Sequence, residues 1–261
     1  MKTGEVIAWL DGEFHPEYQE DYDNSGFLLG SAASTYRGAL VALDLTPAVV
    51  DEAAKHGLSL IVTHHPFIFR GVRRLTDGSE TGRMVMDLIK NDISVYAAHT
   101  NLDNLPWGVN GELAVKLGLR QTRILKPFAT DAGLGAGMVG ELAEGEECDT
   151  FLLRVKDVLG LPVVRTSGHD GHRQVRRVAF CGGSGAEFIG DAMAAGADIY
   201  MTGDLKYHDF QRAEGRMVLA DIGHYESEQF AKEIIFRAIS EKFSNFACRI
   251  SDVQQCIVSY I

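Results

Sequence analysis

Four histidines, one aspartate and one glutamate follow closely on short apolar, strand-like runs. They lie in Thr63-His64-His65-Pro66, Ala98-His99-Thr100-Asn101-Leu102-Asp103 and Gly223-His224-Tyr225-Glu226-Ser227-Glu228. Imidazole nitrogens and carboxylate oxygens are the donors a divalent cation takes when no thiolate is involved. Six such donors exceed what one four-coordinate ion needs, and two ions sharing a carboxylate would use them. A site of that kind makes a hydroxide nucleophile at neutral pH by lowering the pKa of bound water. Cys148, Cys181, Cys248 and Cys256 are widely spaced, with no Cys-x-x-Cys. They read as reduced structural cysteines rather than thiolate ligands or disulfides.

The placement of these donors adds to their chemistry. In open α/β sheets, ligands gather beyond the carboxyl ends of strands. His64 and His65 follow a strand read over 58–62, and Pro66 stiffens the turn after them. His99 and Asp103 follow one read over 93–98, and His224 follows one over 217–222. His224 and Glu228 are spaced i,i+4, which on a helix puts their Cβ atoms about 5–6 Å apart on one face. A single histidine after a strand is by itself an ordinary hydrogen-bonded loop residue. The joint pattern is what favours a metal. His99 fits three roles: a ligand, a partner that orients Asp103, or an acid/base group.

Two further stretches carry two readings each. Gly182-Gly183-Ser184-Gly185 before a helix offers backbone N–H groups to a phosphate, or is a tight strand-to-helix turn. It lacks the Lys-Ser/Thr of a P-loop. In Gly203-Asp204-Leu205-Lys206-Tyr207-His208-Asp209, Asp204 is an N-cap and nothing more, or Lys206, Tyr207 and His208 face the same cleft as the metal and contact substrate.

The elements that must position these residues alternate between strand and helix. Thr3 is placed to cap a first helix with Val6, Ile7 and Leu10 as its stripe. Thr46 is an N-cap with Pro47 at the first helical position and Gly57 past the end. Strands are expected at 39–43, 58–62, 93–98, 175–180, 199–201 and 217–222. Helices are expected at 84–89, 111–117, 149–159, 186–195, 206–214 and, as one long element, 226–243. The glycines of 126–147 read as a boundary or a glycine-rich turn, and 256–260 as a closing strand. The alternation implies an α/β protein with largely parallel sheets.

Composition narrows the class. The 261 residues suffice for one large or two modest domains with real cores. Hydrophobic content of 46% and charged content of 23% are those of a globular protein. No apolar run approaches a membrane span and no signal peptide is evident, so a cytoplasmic protein is the default expectation. The net charge of −11 disfavours sequence-independent nucleic-acid binding. Arg165, Arg173, Arg176 and Arg177 form a local basic cluster that reads as a solvated strand edge.

In combination and order, the segments resemble the NIF three-like proteins, whose bacterial members are often labelled GTP cyclohydrolase I type 2 homologs. The resemblance rests on Asp23-Asn24-Ser25-Gly26-Phe27-Leu28-Leu29-Gly30, Thr63 to Pro66, His99 to Asp103, Thr202 to His208 and Asp221 to Glu228. Phe151-Leu152-Leu153-Arg154-Val155-Lys156, continued by Leu159-Gly160-Leu161-Pro162, also fits. It covers nearly the whole chain. The turn at Ala136-Gly137-Met138 departs from it, since a basic or aromatic residue is common there.

The resemblance implies two α/β subdomains with mixed, largely parallel sheets: 1–125 completed by 225–261, and 126–224. It implies a metal site in the cleft between them and a toroidal homohexamer. The ligands map to His64, His65, Asp103, His224 and Glu228, with Glu228 bridging two divalent ions (zinc, iron or manganese). The expected activity is metal-dependent hydrolysis of a nucleotide or related small molecule. His99, His208 and Lys206 are the catalytic candidates. A non-catalytic metal-binding ring that recruits protein or DNA partners is the competing expectation.

Overall fold

The structure, a computed structural model, describes residues 1–261 other than Gln254, Gln255 and Ile261. The chain divides into two compact units, Met1–Leu102 with Ala231–Val258, and Asp103–Phe230. The first unit therefore gives up the chain at Leu102 rather than at 125, because the strand over 120–127 pairs within the second unit's sheet.

The first unit opens with α1 (Thr3–Phe14), followed by β1 (Gly26–Leu29), β2 (Ala39–Ala42), α2 (Pro47–Lys55), β3 (Leu60–Thr63), α3 (Glu80–Lys90) and β4 (Ser94–Ala97). The short helix α4 (Thr100–Asp103) leads out of it. The second unit contains α5 (Val109–Lys116), β5 (Arg120–Pro127), β6 (Gly135–Glu147), α6 (Cys148–Leu159) and β7 (Arg165–Thr166). It continues with β8 (Gln174–Ser184), α7 (Ile189–Ala194), β9 (Ile199–Gly203), β10 (Val218–Asp221) and α8 (His224–Glu228). The chain then returns to the first unit with α9 (Ala231–Lys242) and β11 (Cys248–Ile250).

The first sheet has the order β1-β4-β3-β2-β11. Its β4-β3-β2-β11 pairings are parallel, and β1 joins antiparallel at one edge. Helices α2 and α3 cover a core of Leu40, Val49, Ile61, Leu88 and Val95. Burial of both sheet faces suits the continuous apolar runs of β2, β3 and β4. Thr46 caps α2 as expected, accepting from the Val49 N–H at 3.3 Å.

The second sheet, β5-β6-β8-β9-β10-β7, is mixed. Only β8-β9 and β9-β10 pair in parallel, so the expected parallel character holds for three of its strands. Successive residues alternate between two cores. Val178, Phe180, Ile199, Met201 and Val218 pack with Phe151 and Val155 of α6, while Ala179, Tyr200 and Leu219 pack with Ile189 and Leu205.

Several expected elements differ. The glycine-rich stretch 126–147 is mostly β6, a strand of 13 residues. Its glycines admit close backbone approach: a Cβ on Gly135 would lie 2.1 Å from the Lys126 carbonyl, and one on Gly137 2.7 Å from that of Phe180. The long helix expected over 226–243 breaks between Glu228 and Ala231, because Phe230 packs into the second unit's core while Ala231 opens α9 in the first. Thr3 is the first helical residue rather than the cap; Lys2 holds that place and its N–H donates to Glu5. The segment 206–214 contains only a 3-10 turn at Asp209–Ala213. No strand forms over 256–260; β11 pairs with β2 instead. Among the described residues, no helix is long and apolar enough to cross a membrane.

The end of β11 is held by Glu52 of α2, a buried carboxylate that accepts from the Ser251 hydroxyl at 2.6 Å and the Asp252 N–H at 3.1 Å. Ser251→Ala removes one of these bonds, with an expected loss of about 1–3 kcal/mol. Urea unfolding measures it, and an unchanged midpoint would count against this anchoring of the chain end.

Candidate metal centre

Parallel pairing builds the site within each unit. In the first sheet, Ala42 lies beside Thr63 and Thr63 beside Ala97. The carboxyl ends of β2, β3 and β4 therefore open side by side. They release Asp44, His64 with His65, and His99 respectively. The His64 ring is fully buried and donates from Nδ1 to the Ala98 carbonyl at 2.7 Å. His65 donates from Nδ1 to Asp44 Oδ1 at 2.7 Å, and His99 from Nδ1 to Asp23 Oδ1 at 2.8 Å. The donor nitrogens of the three rings come within 4.8 Å of one another. The Nδ1 hydrogen bond sets the tautomer and orientation of each ring and makes Nε2 the nitrogen suited to an ion. This is how metal-binding histidines are oriented and made more basic by a second hydrogen bond.

Asp23 is itself tightly held. Burial alone would raise its carboxyl. The hydrogen bonds from His99, Thr100 and the Asn24 N–H, with the His99 charge, outweigh burial and keep it far below the usual carboxylate range. The His99 backbone is fixed as well: its N–H donates to Asn101 Oδ1 at 2.8 Å, and Asn101 Nδ2 donates to the Phe14 carbonyl at 2.7 Å.

The second unit repeats the device. β9 and β10 are parallel, with Thr202 beside Asp221, so Asp204 and His224 emerge next to each other. His224 donates from Nδ1 to Asp204 Oδ2 at 2.8 Å. Its Nε2 stands 3.0 Å from Glu228 Oε2, one turn along α8. Glu228 is 3% exposed. A buried carboxylate closing on an imidazole nitrogen suits two ligands of one cation, since a buried charge needs such compensation. Asp103 is the first residue of this unit, and its carbonyl accepts from Asn110 Nδ2 at 3.2 Å. Asn110 Oδ1 in turn takes the Gly182 N–H at 3.0 Å.

The glycine run at the end of β8 acquires a third meaning here. Gly183 adopts φ +62, and a Cβ on it would fall 1.9 Å from Glu228 Oε1. Its missing side chain is the space the carboxylate occupies. Its N–H goes to the Ser227 hydroxyl at 3.0 Å. Asp204, expected as an N-cap at most, orients His224 instead.

Lys206 and His208 are exposed. The Lys206 N–H donates to Asp209, and the His208 ring packs at 5.2 Å from that of Tyr207. Neither belongs to a group of metal-capable donors among the described residues. The sequence reading did not identify Asp44 as a partner of His65. The available signal was a carboxylate just past the strand neighbouring that of the histidines, and it becomes legible only once strand order is known.

Three substitutions probe this arrangement. Asp204→Ala and Asp44→Ala are each expected to weaken zinc binding about 10- to 100-fold by releasing a ligand ring, read by competition with a chelating dye. Gly183→Ala is expected to lower zinc content while leaving the far-ultraviolet circular dichroism unchanged. Full metal retention in Gly183→Ala would mean Glu228 lies outside the centre.

Relatives share both the sequence and the fold. The chain is 36% identical over 231 residues to a Clostridium perfringens protein named GTP cyclohydrolase 1 type 2 homolog, covering 87% of each. A Streptococcus pneumoniae protein of the same name is 34% identical, covering 90% of this chain and 89% of that one. A hypothetical protein of Staphylococcus aureus with a crystal structure is 31% identical and superposes with a TM-score of 0.92, covering 100% of this chain and 99% of that one. A Bacillus cereus protein related to NIF3 shares the fold at a TM-score of 0.93, with 24% identity and the same coverage. A family model for Duf34/NIF3 (NGG1p interacting factor 3) matches residues 1–256, and the chain belongs to that family.

Proposed function

We propose that the protein is a metal-dependent hydrolase that binds two divalent ions per chain and acts on a nucleotide or a related compound. The observation that carries this is the shared state of four rings. His64, His65, His99 and His224 each donate from Nδ1 to a carbonyl or carboxylate, which fixes the tautomer in which Nε2 can serve as a metal ligand. His64, His65, Asp103, His224 and Glu228, the set the family resemblance implies, would hold the ions, with Glu228 expected to be shared between the two. Three imidazoles and two carboxylates fit zinc, iron(II) and manganese(II). Ions in that donor set would supply Lewis acidity and bring the pKa of water near neutrality.

His99 has a second part. Asp23 fixes its tautomer, so its Nε2 can take a proton and return it at a reacting oxygen or nitrogen. Lys206 and His208 follow Asp204 on the loop after β9 and are assigned to substrate contact and proton transfer from the solvent side. The nucleotide class comes from the relatives' names alone. A ring of six copies is the assembly expected from the family resemblance. Light scattering should give about six times the chain mass, and a stable monomer would contradict it.

Metal analysis after reconstitution with zinc, iron(II) or manganese(II) should find two ions per chain. Glu228→Gln should lose more metal than His65→Ala, because it takes an anionic ligand from both ions. Equal loss would make Glu228 a terminal ligand.

GTP or phosphoester hydrolysis should require added metal and vanish in Asp103→Asn. In preparations matched for metal content, His99→Ala should lower the rate about 10²- to 10⁴-fold, the usual cost of removing a positioned proton carrier. Trace turnover indifferent to His99 and His208 would instead support the non-catalytic metal-binding ring.

A further inference from the structure

The loop after His64 and His65 carries a feature that metal binding does not use. Phe67 packs against the first unit's core and the Ile68 carbonyl accepts from Asn24 Nδ2, so the loop is pinned at its start. Phe69 then turns outward. Its ring lies 6.2 Å from that of His99 on one side and 6.2 Å from that of Tyr22 on the other. His99 in turn stands 5.3 and 5.4 Å from His64 and His65. A file of rings therefore leads from the histidine cluster to the surface, where Phe69 is 43% and Tyr22 60% exposed.

Arginines follow at once. Arg70, Arg73 and Arg74 are all exposed. Among the described residues, none of the three forms an ion pair; Arg83, Arg120, Arg123 and Arg173 share that state, but only 70–74 groups three such arginines within five positions, whereas Arg37, Arg154, Arg165, Arg176, Arg177, Arg212, Arg216 and Arg249 are paired. In a chain of net charge −11, three guanidinium groups within five positions and without ion pairs offer an anion a local place to settle. Guanidinium is also the group suited to paired hydrogen bonds with phosphate oxygens. Exposed aromatic faces beside it suit a planar heterocycle, which stacks on them without regard to its substituents.

We propose that Tyr22, Phe69, Arg70, Arg73 and Arg74 form the recognition surface of this site, stacking the base of a nucleoside phosphate on the two rings and holding its phosphates on the arginines. The proposal deepens the hydrolase reading and rests on it for the reaction, though not for the binding. The base then lies beside His99, and the phosphates lie along the loop that carries the histidine pair. Two rings suffice for one base rather than for a strand of nucleic acid, and the acidic remainder of the chain opposes a longer polyanion.

The test is calorimetric titration of the metal-stripped full-length protein, in which turnover cannot occur, with GTP, guanosine and inorganic tripolyphosphate. GTP should bind at least tenfold more tightly than either fragment. Phe69→Leu and Tyr22→Leu, both at exposed positions, should each weaken GTP and guanosine about tenfold and leave tripolyphosphate unchanged. The combined variant Arg70→Ser, Arg73→Ser, Arg74→Ser should do the reverse and lose most of the salt dependence of GTP binding. Wild-type GTP affinity in both the aromatic and the arginine variants would overturn the proposal. So would an oligothymidylate that displaces GTP at lower concentration than GTP itself. If the wild type binds GTP in this pattern but, reconstituted with metal, does not hydrolyse it, the recognition surface stands and the hydrolase reading falls.

Discussion

Parallel strand pairing is the constraint from which the candidate centre follows. In a parallel sheet, neighbouring strands release their chains at the same end, so residues far apart in sequence meet there with no long loop to order. β2, β3 and β4 bring Asp44, His64, His65 and His99 together in one unit. β9 and β10 do the same for Asp204 and His224 in the other. In the antiparallel part of the second sheet the glycines of β6 only let strands approach, whereas Gly183, at the β8 end that runs parallel to β9, makes the room Glu228 fills.

The hydrogen bonds behind the histidines matter as much as the rings. An imidazole that donates from Nδ1 to a fixed oxygen has one tautomer and one orientation. Here the oxygens come from a backbone carbonyl and three aspartates, each on an element separate from its histidine's own turn. The aspartates are costly to place: Asp204 sits at φ +56, and Asp23 is buried in a web of donors. Such local strain and burial are tolerated where the surrounding structure fixes them, and they gather at functional positions. Gly183 belongs to the same logic from the opposite side, since the absence of a Cβ is what lets a buried carboxylate close on His224.

The acidic balance of the chain and the three exposed arginines on the loop that follows the histidine pair point in different directions only if charge is averaged. Net charge governs long-range steering, whereas a local cluster governs where an anion settles. The aromatic file from His99 to Tyr22 gives the same place a preference for planar ligands.

The sequence determined donor chemistry and local structure. His224 and Glu228 are one helical turn apart by spacing alone, and His64 and His65 stand at the end of an apolar run that had to be a buried strand. Thr46 with Pro47 fixed the start of α2. Periodicity and capping act over a few residues, so they are written in the chain. Strand order is not. Whether Asp44 or some other carboxylate would serve His65 depended on β2 lying next to β3, and the partnership of Asp204 with His224 depended on β9 lying next to β10. The glycines of β6 and those closing β8 looked alike in sequence. One set lets strands approach and the other makes room for Glu228, because a glycine's purpose is set by whichever atom occupies the space its side chain would have filled. The break between α8 and α9 was likewise a tertiary decision, made where Phe230 joins one core and Ala231 begins the helix of another unit.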